Sequence, residues 1–333
     1  MHSIKTNAWL TAAFIAFTIS TVNAAEKIIN IDGSSTVYPI TKNVADSFQA
    51  IRKVKINVNI SGTGGGFAKF CRGETQVQNA SRPILKKEMD ICKEAGIQYI
   101  ELPIAFDALT IVVNKNNDFV DYLTVEELNK IWRPASKGKI KTWRQVRSTW
   151  PNQPLNLYGP GTDSGTFDYF TEAIVGKAKM SRDDFTASED DHVLIQGIAQ
   201  DIGALGYFGY ANYEENKDKL RAIPIIAKGS ALPVLPSMEA VKDGTYQPLS
   251  RPLFIYVNAT AVAFKPEVKE FVDYYMYLKA SPKLVEKAKY IPLPAKEYDA
   301  VHRHWQARKP GTGFNGVPEI GVKIDELLSR IKA

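Results

Sequence analysis

The chain has 333 residues, 44% of them hydrophobic and 23% charged. That length and balance fit one large or two ordinary globular domains with an ample core, and exclude a disordered or fibrous protein. The 42 Lys and Arg against 36 Asp and Glu give a mild, unclustered net charge of +6, which suits a small acidic ligand and argues against a nucleic-acid partner.

The first segment reads as a leader. MHSIKTNAWLTAAFIAFTISTVNAAEK opens with Lys5, carries an apolar run from 9 to about 22, and offers small residues before Ala25. This pattern predicts a secretory signal peptide over 1–24, cut after about Ala24, with an apolar run too short to span a bilayer. No cysteine stands at the cut, so no lipid anchor is expected, and the mature chain is expected to be exported and soluble. Cys71 and Cys92 are the only cysteines. An oxidising compartment favours a disulfide between them; two buried free thiols are the alternative.

Elements then follow in order. KIINID at 27–32 reads as a strand. Ile40, Val44, Phe48 and Ile51 recur at helical spacing. VKINVNIS at 54–61 alternates as a second strand, 62–66 is a tight glycine loop, and Phe67 and Phe70 begin the next helix. QVQNAS at 76–81 is a third strand, ended by Pro83, with a charged helix near 86–95. After the apolar strand at 109–114, Thr124 to Glu127 form a capping box ahead of Leu128 and Ile131. LNLYG, ALGYFGYANY and PLFIYVN read as further strands. Val268, Phe271, Val272, Tyr275 and Leu278 share one helical face, and IDELLSRIKA closes the chain as a helix. Strands alternating with helices predict a parallel α/β sheet. Two lobes fit the length: 25–110 with 260–333, and 115–252, joined by two crossing strands with a hinge near 110–115 and 252–260.

Four loops share one composition. DGSSTVYP (32–39), SGTGGGF (61–67) and GTDSGTF (161–167) each precede a helix, and NASRP (79–83) follows a strand. All sit at the C-terminal ends of strands, where α/β sheets bind ligands. A helix start has amide groups without partners and a partial positive charge, glycine lets the backbone come close, and Ser or Thr adds a donor. Any one such loop is more often only a helix cap. Four of them on one side of a sheet, with Arg82 among them, point to a bound oxyanion.

Other chemistries fit less well. SGTGGG lacks both the G-x-G-x-x-G spacing and the final Lys of a P-loop. Ser164 in DSGT could be a hydrolase nucleophile, but that needs a His base. His2 leaves with the leader, His192 stands at a helix start, and His302 and His304 lie on a charged helix. Two cysteines and scattered histidines lack metal-ligand spacing, so neither a metal nor another cofactor is expected. SEDD at 188–191 reads as a helix cap followed by first-turn carboxylates.

Together, GSSTVYP, SGTGGGF, NASRP and GPGTDSGTF resemble the periplasmic phosphate-binding proteins of ABC transporters, and the match continues in order through SEDD and LGYFGYA. The resemblance implies a two-lobed type II binding-protein fold, each lobe a mixed, mostly parallel sheet flanked by helices. It also implies a monomer that captures inorganic phosphate between the lobes in the periplasm, passes it to a membrane permease and catalyses nothing. Carried onto this sequence, the ligand set is Ser35, Thr36, Thr63, Ser81, Arg82, Ser164, Gly165 and Thr166. Well-known members carry an Asp after the third-loop Ser and an Arg before the S-G-T; here Arg82 and Pro160 stand there. The acceptor for the proton of hydrogen phosphate, which sulfate lacks, is then expected at Asp163. A secreted phosphatase using Ser164, or an extracellular adhesion protein on the same fold, are the alternatives.

Overall fold

The computed structural model describes residues 27–162, 164–188, 190–277, 280–317, 322, 326, 327, 329 and 330. The leader over 1–24, Asp163, Leu278 and most of the C-terminal helix lie outside the described residues.

Three β–α units come first: β1 (Ile28–Gly33) with α1 (Tyr38–Gln49), β2 (Lys55–Val58) with α2 (Gly62–Cys71), and β3 (Val77–Ala80) with α3 (Lys86–Glu94). β4 (Tyr99–Asn114) is buried along its whole length. β5 (Leu123–Thr124), α4 (Val125–Trp132), α5 (Trp143–Val146), β6 (Asn156–Gly159), α6 (Gly165–Val175), β7 (Thr186–Ala187), α7 (Asp191–Gln200), β8 (Ala204–Gly209) and α8 (Tyr210–Glu215) follow. Short β9 (Leu220–Ala222), β10 (Ile225–Ile226), β11 (Pro233–Val234) and α9 (Met238–Lys242) lead to β12 (Ser250–Asn258). The chain then runs through α10 (Ala259–Phe264), α11 (Pro266–Tyr275), α12 (Ser281–Lys287), β13 (Ile291–Pro292) and α13 (Ala295–Ala307).

The main sheet has the order β2-β1-β3-β12-β4-β8-β6-β7. β1 runs parallel to β2 and β3, and β6 runs parallel to β7 and β8. The antiparallel pairs gather at β12 and β4, so the sheet is mixed. β4 changes partner along its length: residues 99–108 pair with β12, and residues 109–113 pair with β8. One continuous strand therefore belongs to both groups of β–α units.

Packing explains most boundaries. Ile40, Val44 and Phe48 point α1 into the core, but α1 ends at Gln49 and Ile51 lies beyond it, 56% exposed. The capping box of α4 forms as the sequence indicates: Thr124 Oγ1 accepts from Glu127 N–H at 3.1 Å, and Thr124 N–H donates to Glu127 Oε2 at 3.0 Å. Phe167, Phe170 and Ile174 fix α6, with Phe170 stacked on Tyr207 at 3.7 Å and edge-on to Trp132. Each such buried aromatic contributes about 1.5–3 kcal/mol.

The stretch 62–66 is not a loop. α2 begins at Gly62, whose left-handed φ of +73° makes the turn into the helix, while Gly66 serves close packing. A methyl on Gly66 would lie 2.5 Å from Gly33 Cα and 2.2 Å from Gln78 Oε1, so only glycine lets α2 lie this close to β1 and β3. SEDD also shifts by two residues: the cap of α7 is Asp190, whose side chain accepts from His192 N–H. Cys71 and Cys92 form a disulfide with Cα atoms 4.3 Å apart, joining α2 to α3.

Candidate functional site

The loop after β1 is anchored by Asp32, which is buried. Its Oδ1 accepts from Ser61 Oγ and its Oδ2 from Lys69 Nζ, both at 2.5 Å. These bonds tie the start of α2 to the end of β1. α2 has no side-chain cap, so its first-turn amides are left to other partners. In α1, Tyr38 N–H donates to the Ser34 carbonyl, Pro39 has no N–H, and Ile40 N–H donates to the Val37 carbonyl. α6 differs: Ser164 Oγ accepts from Thr166 N–H at 3.1 Å. With its oxygen used as acceptor, the Ser164 hydroxyl can donate outward.

The four loops meet around Gly165. A methyl placed there would come 2.7 Å from Ser81 Oγ, 3.6 Å from Thr36 Oγ1 and 3.8 Å from Ser34 Oγ. Thr63 Oγ1 lies 3.1 Å from Ser81 Oγ and accepts from Ser81 N–H at 3.2 Å. Hydroxyls from the starts of α1 and α2, from the loop after β3 and from the start of α6 thus share one small volume. They face a cleft of about 1070 Å³, whose walls include Ser35, Thr36, Thr63, Arg82, Ser164, Gly165 and Thr166. Ser81 stands just behind this wall, 2% exposed. Every sequence-derived ligand candidate among the described residues is therefore brought together; Asp163 lies outside them.

Arg82 is on the cleft wall, but its guanidinium is already engaged. It forks onto Glu88 of α3, with bonds of 2.8 and 2.9 Å, and donates to the Pro83 carbonyl at 3.1 Å. Sequence reading missed a second cation, Arg251 on β12. Arg251 is 2% exposed and pairs with Asp107 of β4, its direct neighbour in register. Its Nε and Nη2 both donate to Asp107 Oδ2, at 3.1 and 3.0 Å. Nη1 donates to the Gly165 carbonyl at 2.7 Å, and Nη2 to Thr36 Oγ1 at 3.2 Å. Asp107 itself lines the cleft. Burial pushes its carboxyl above the ordinary value, with Arg251 pulling the other way. Ser34, buried in the first loop, was the other residue passed over. The available signal for the pair was charge inside otherwise apolar strands: Arg251 in β12, and Asp107 as well as Glu101 in β4.

Among the described residues no histidine lines the cleft. No group of three His, Cys, Asp or Glu side chains among them is placed to hold a metal ion. The arrangement offers many neutral donors and a buried, compensated cation. Such a set of donors suits an acceptor-rich anion.

Comparison with known proteins agrees with this architecture. A PBP superfamily domain matches residues 18–277. Protein SphX of Synechococcus elongatus is 49% identical over 314 residues, covering 94% of this chain and 91% of that protein. The phosphate-binding protein PstS of Staphylococcus saprophyticus is 39% identical over 268 residues, covering 80% of this chain and 81% of its own. Among solved structures, a possible phosphate binding protein from Planctomyces limnophilus matches with a TM-score of 0.69 and 47% identity, over 85% of this chain and 97% of its own. The two-lobed α/β fold, the converging hydroxyl loops and these similarities together place the chain in the PBP superfamily, in the family of the SphX and PstS phosphate-binding proteins.

Proposed function

We propose that this chain captures inorganic phosphate in its cleft, in the periplasm, and delivers it to an ABC permease as a monomeric binding protein without catalytic activity. The observation that carries this reading is the meeting of the Ser34, Thr36, Thr63 and Ser81 hydroxyls around Gly165. The relatives named as phosphate-binding proteins support the choice of anion. In this reading Ser35, Thr36, Thr63, Ser81, Ser164 and Thr166 donate hydroxyls, and Gly165 with the first turns of α2 and α6 donates amides. Arg82 supplies charge from the wall, and Asp163 accepts the proton of hydrogen phosphate. That last contact favours phosphate over sulfate, because sulfate would leave the carboxylate unpaired.

The lobes are 25–110 with 260–333, and 115–252, closing about a hinge near 110–115 and 252–260. The change of partner along β4 supports a crossing in this part of the strand. Residues 1–24 direct secretion and are cleaved after about Ala24. Cells lacking the chain are expected to lose high-affinity phosphate uptake under phosphate limitation, and to regain it with the wild-type chain. Undiminished uptake contradicts the transport role. Turnover of a chromogenic phosphate ester that vanishes in Ser164→Ala would point to hydrolysis instead.

A further inference from the structure

We propose that the buried Arg251–Asp107 pair is a positioning device for the anion cradle. Arg251 makes the Thr36 hydroxyl a dedicated donor and ties the start of α6 to the start of α1. The inference rests on the phosphate-capture reading and deepens it.

A buried ion pair is weak evidence for stability, since well-packed apolar replacements are often neutral or stabilising. Here the pair is 2% and 3% exposed and sits at the centre of the sheet, between two apolar strands. Its guanidinium does more than meet Asp107. One Nη2 N–H goes to Thr36 Oγ1, and Nη1 goes to the Gly165 carbonyl. The Tyr169 ring lies 5.0 Å from the guanidinium carbon, and the Tyr169 hydroxyl donates to the Ser250 carbonyl at 2.6 Å. The fork is thereby held in one orientation.

The consequence follows from donor counting. A threonine hydroxyl has one donor and two acceptor sites. Guanidinium has no acceptor and does not deprotonate in proteins, so Thr36 can only accept from Arg251, and its own proton is left for the cleft. Thr166 Oγ1, at 3.5 Å from Nη2, stands at the edge of the same arrangement. A hydroxyl fixed as donor matches a ligand that presents only acceptors there. The bond to the Gly165 carbonyl fixes the α6 amides relative to Thr36 in the same step. Arg251 thus acts through Thr36 and Gly165 and needs no contact with the anion.

The test combines Arg251→Met with Asp107→Leu, which removes both charges at similar volume and leaves neither buried alone. The mature chain, 25–333, is titrated with inorganic phosphate as wild type, with the paired substitution, with Thr36→Val, and with all three. Each form is checked for a cooperative thermal transition. The paired substitution is expected to weaken phosphate binding about 100-fold. Thr36→Val is expected to cost about 10-fold in the wild-type background and under about 3-fold once the pair is gone, because coupled residues are not additive. Affinity within about 3-fold of wild type, or an equal Thr36→Val cost in both backgrounds, overturns the proposal. If the paired form does not unfold cooperatively, Arg251→Lys decides. A single ammonium cannot serve Asp107, Thr36 and Gly165 together, so binding at least about 10-fold weaker is expected, and wild-type affinity overturns the proposal. A wild-type chain that binds no phosphate overturns the phosphate-capture reading itself, whereas a binding wild type with indifferent variants overturns only this inference.

Discussion

Arg82 is the residue at which the sequence-derived site and its surroundings pull in different directions. Its fork on Glu88 compensates its charge, yet it faces the cleft beside α2. A charge-assisted bond to an anion is worth about 1.5–3 kcal/mol, so Arg82→Ala should weaken phosphate binding about 10- to 100-fold. Lys86 pairs with Asp90 on the exposed side of α3, so Lys86→Ala should leave affinity nearly unchanged. Equal effects of the two substitutions in the same titration would remove Arg82 from the site. The hydroxyl residues were legible because loop composition and position reveal helix starts. Arg251 and Asp107 were not, because they stand just ahead of the apolar stretches read as strands, and their meeting depends on the antiparallel register of β4 and β12. A charge in a buried strand demands a partner, and that was the cue available.

At the scale of elements, most main strands and helices were legible from periodicity, and the capping box marked the start of α4 to the residue. The YANY of ALGYFGYANY, read as strand, instead opens helix α8, and residues 99–108 of β4 were not read as strand. The start of α2 was not. Clustered glycine has poor intrinsic helix propensity, and only tertiary packing against Gly33 and Gln78 turns it into an advantage. The direction of the central strands was equally hidden, since an all-buried apolar strand reads alike in parallel and antiparallel sheets. The disulfide links these elements to the site. Cys71 ends α2, which carries Thr63, and Cys92 lies in α3, which carries Glu88 and so steadies Arg82. The loop spans 21 residues. Replacing both cysteines by serine is expected to cost about 3 kcal/mol on the chain-entropy model, read as a lower urea midpoint with a steeper slope, since the unbridged unfolded chain exposes more surface. An unchanged midpoint would show that the bridge does not constrain the unfolded chain.

For the whole molecule, the continuous strand β4 and the contacts of Arg251 connect the two groups of β–α units on either side of the cleft. Lys289 and Glu215, both half exposed, form an ion pair of 3.4 Å at the cleft between the proposed lobes. An exposed pair of this kind contributes at most about 1 kcal/mol, too little to hold the lobes shut by itself. In the proposed reading the anion drives closure, its oxygens joining hydroxyls and amides from both sides. The most direct measurement is calorimetric titration of the mature chain with inorganic phosphate and, separately, with sulfate. The account expects saturable heat with one phosphate bound per chain, and much weaker binding of sulfate. No heat with phosphate, or sulfate bound as tightly as phosphate, would contradict it.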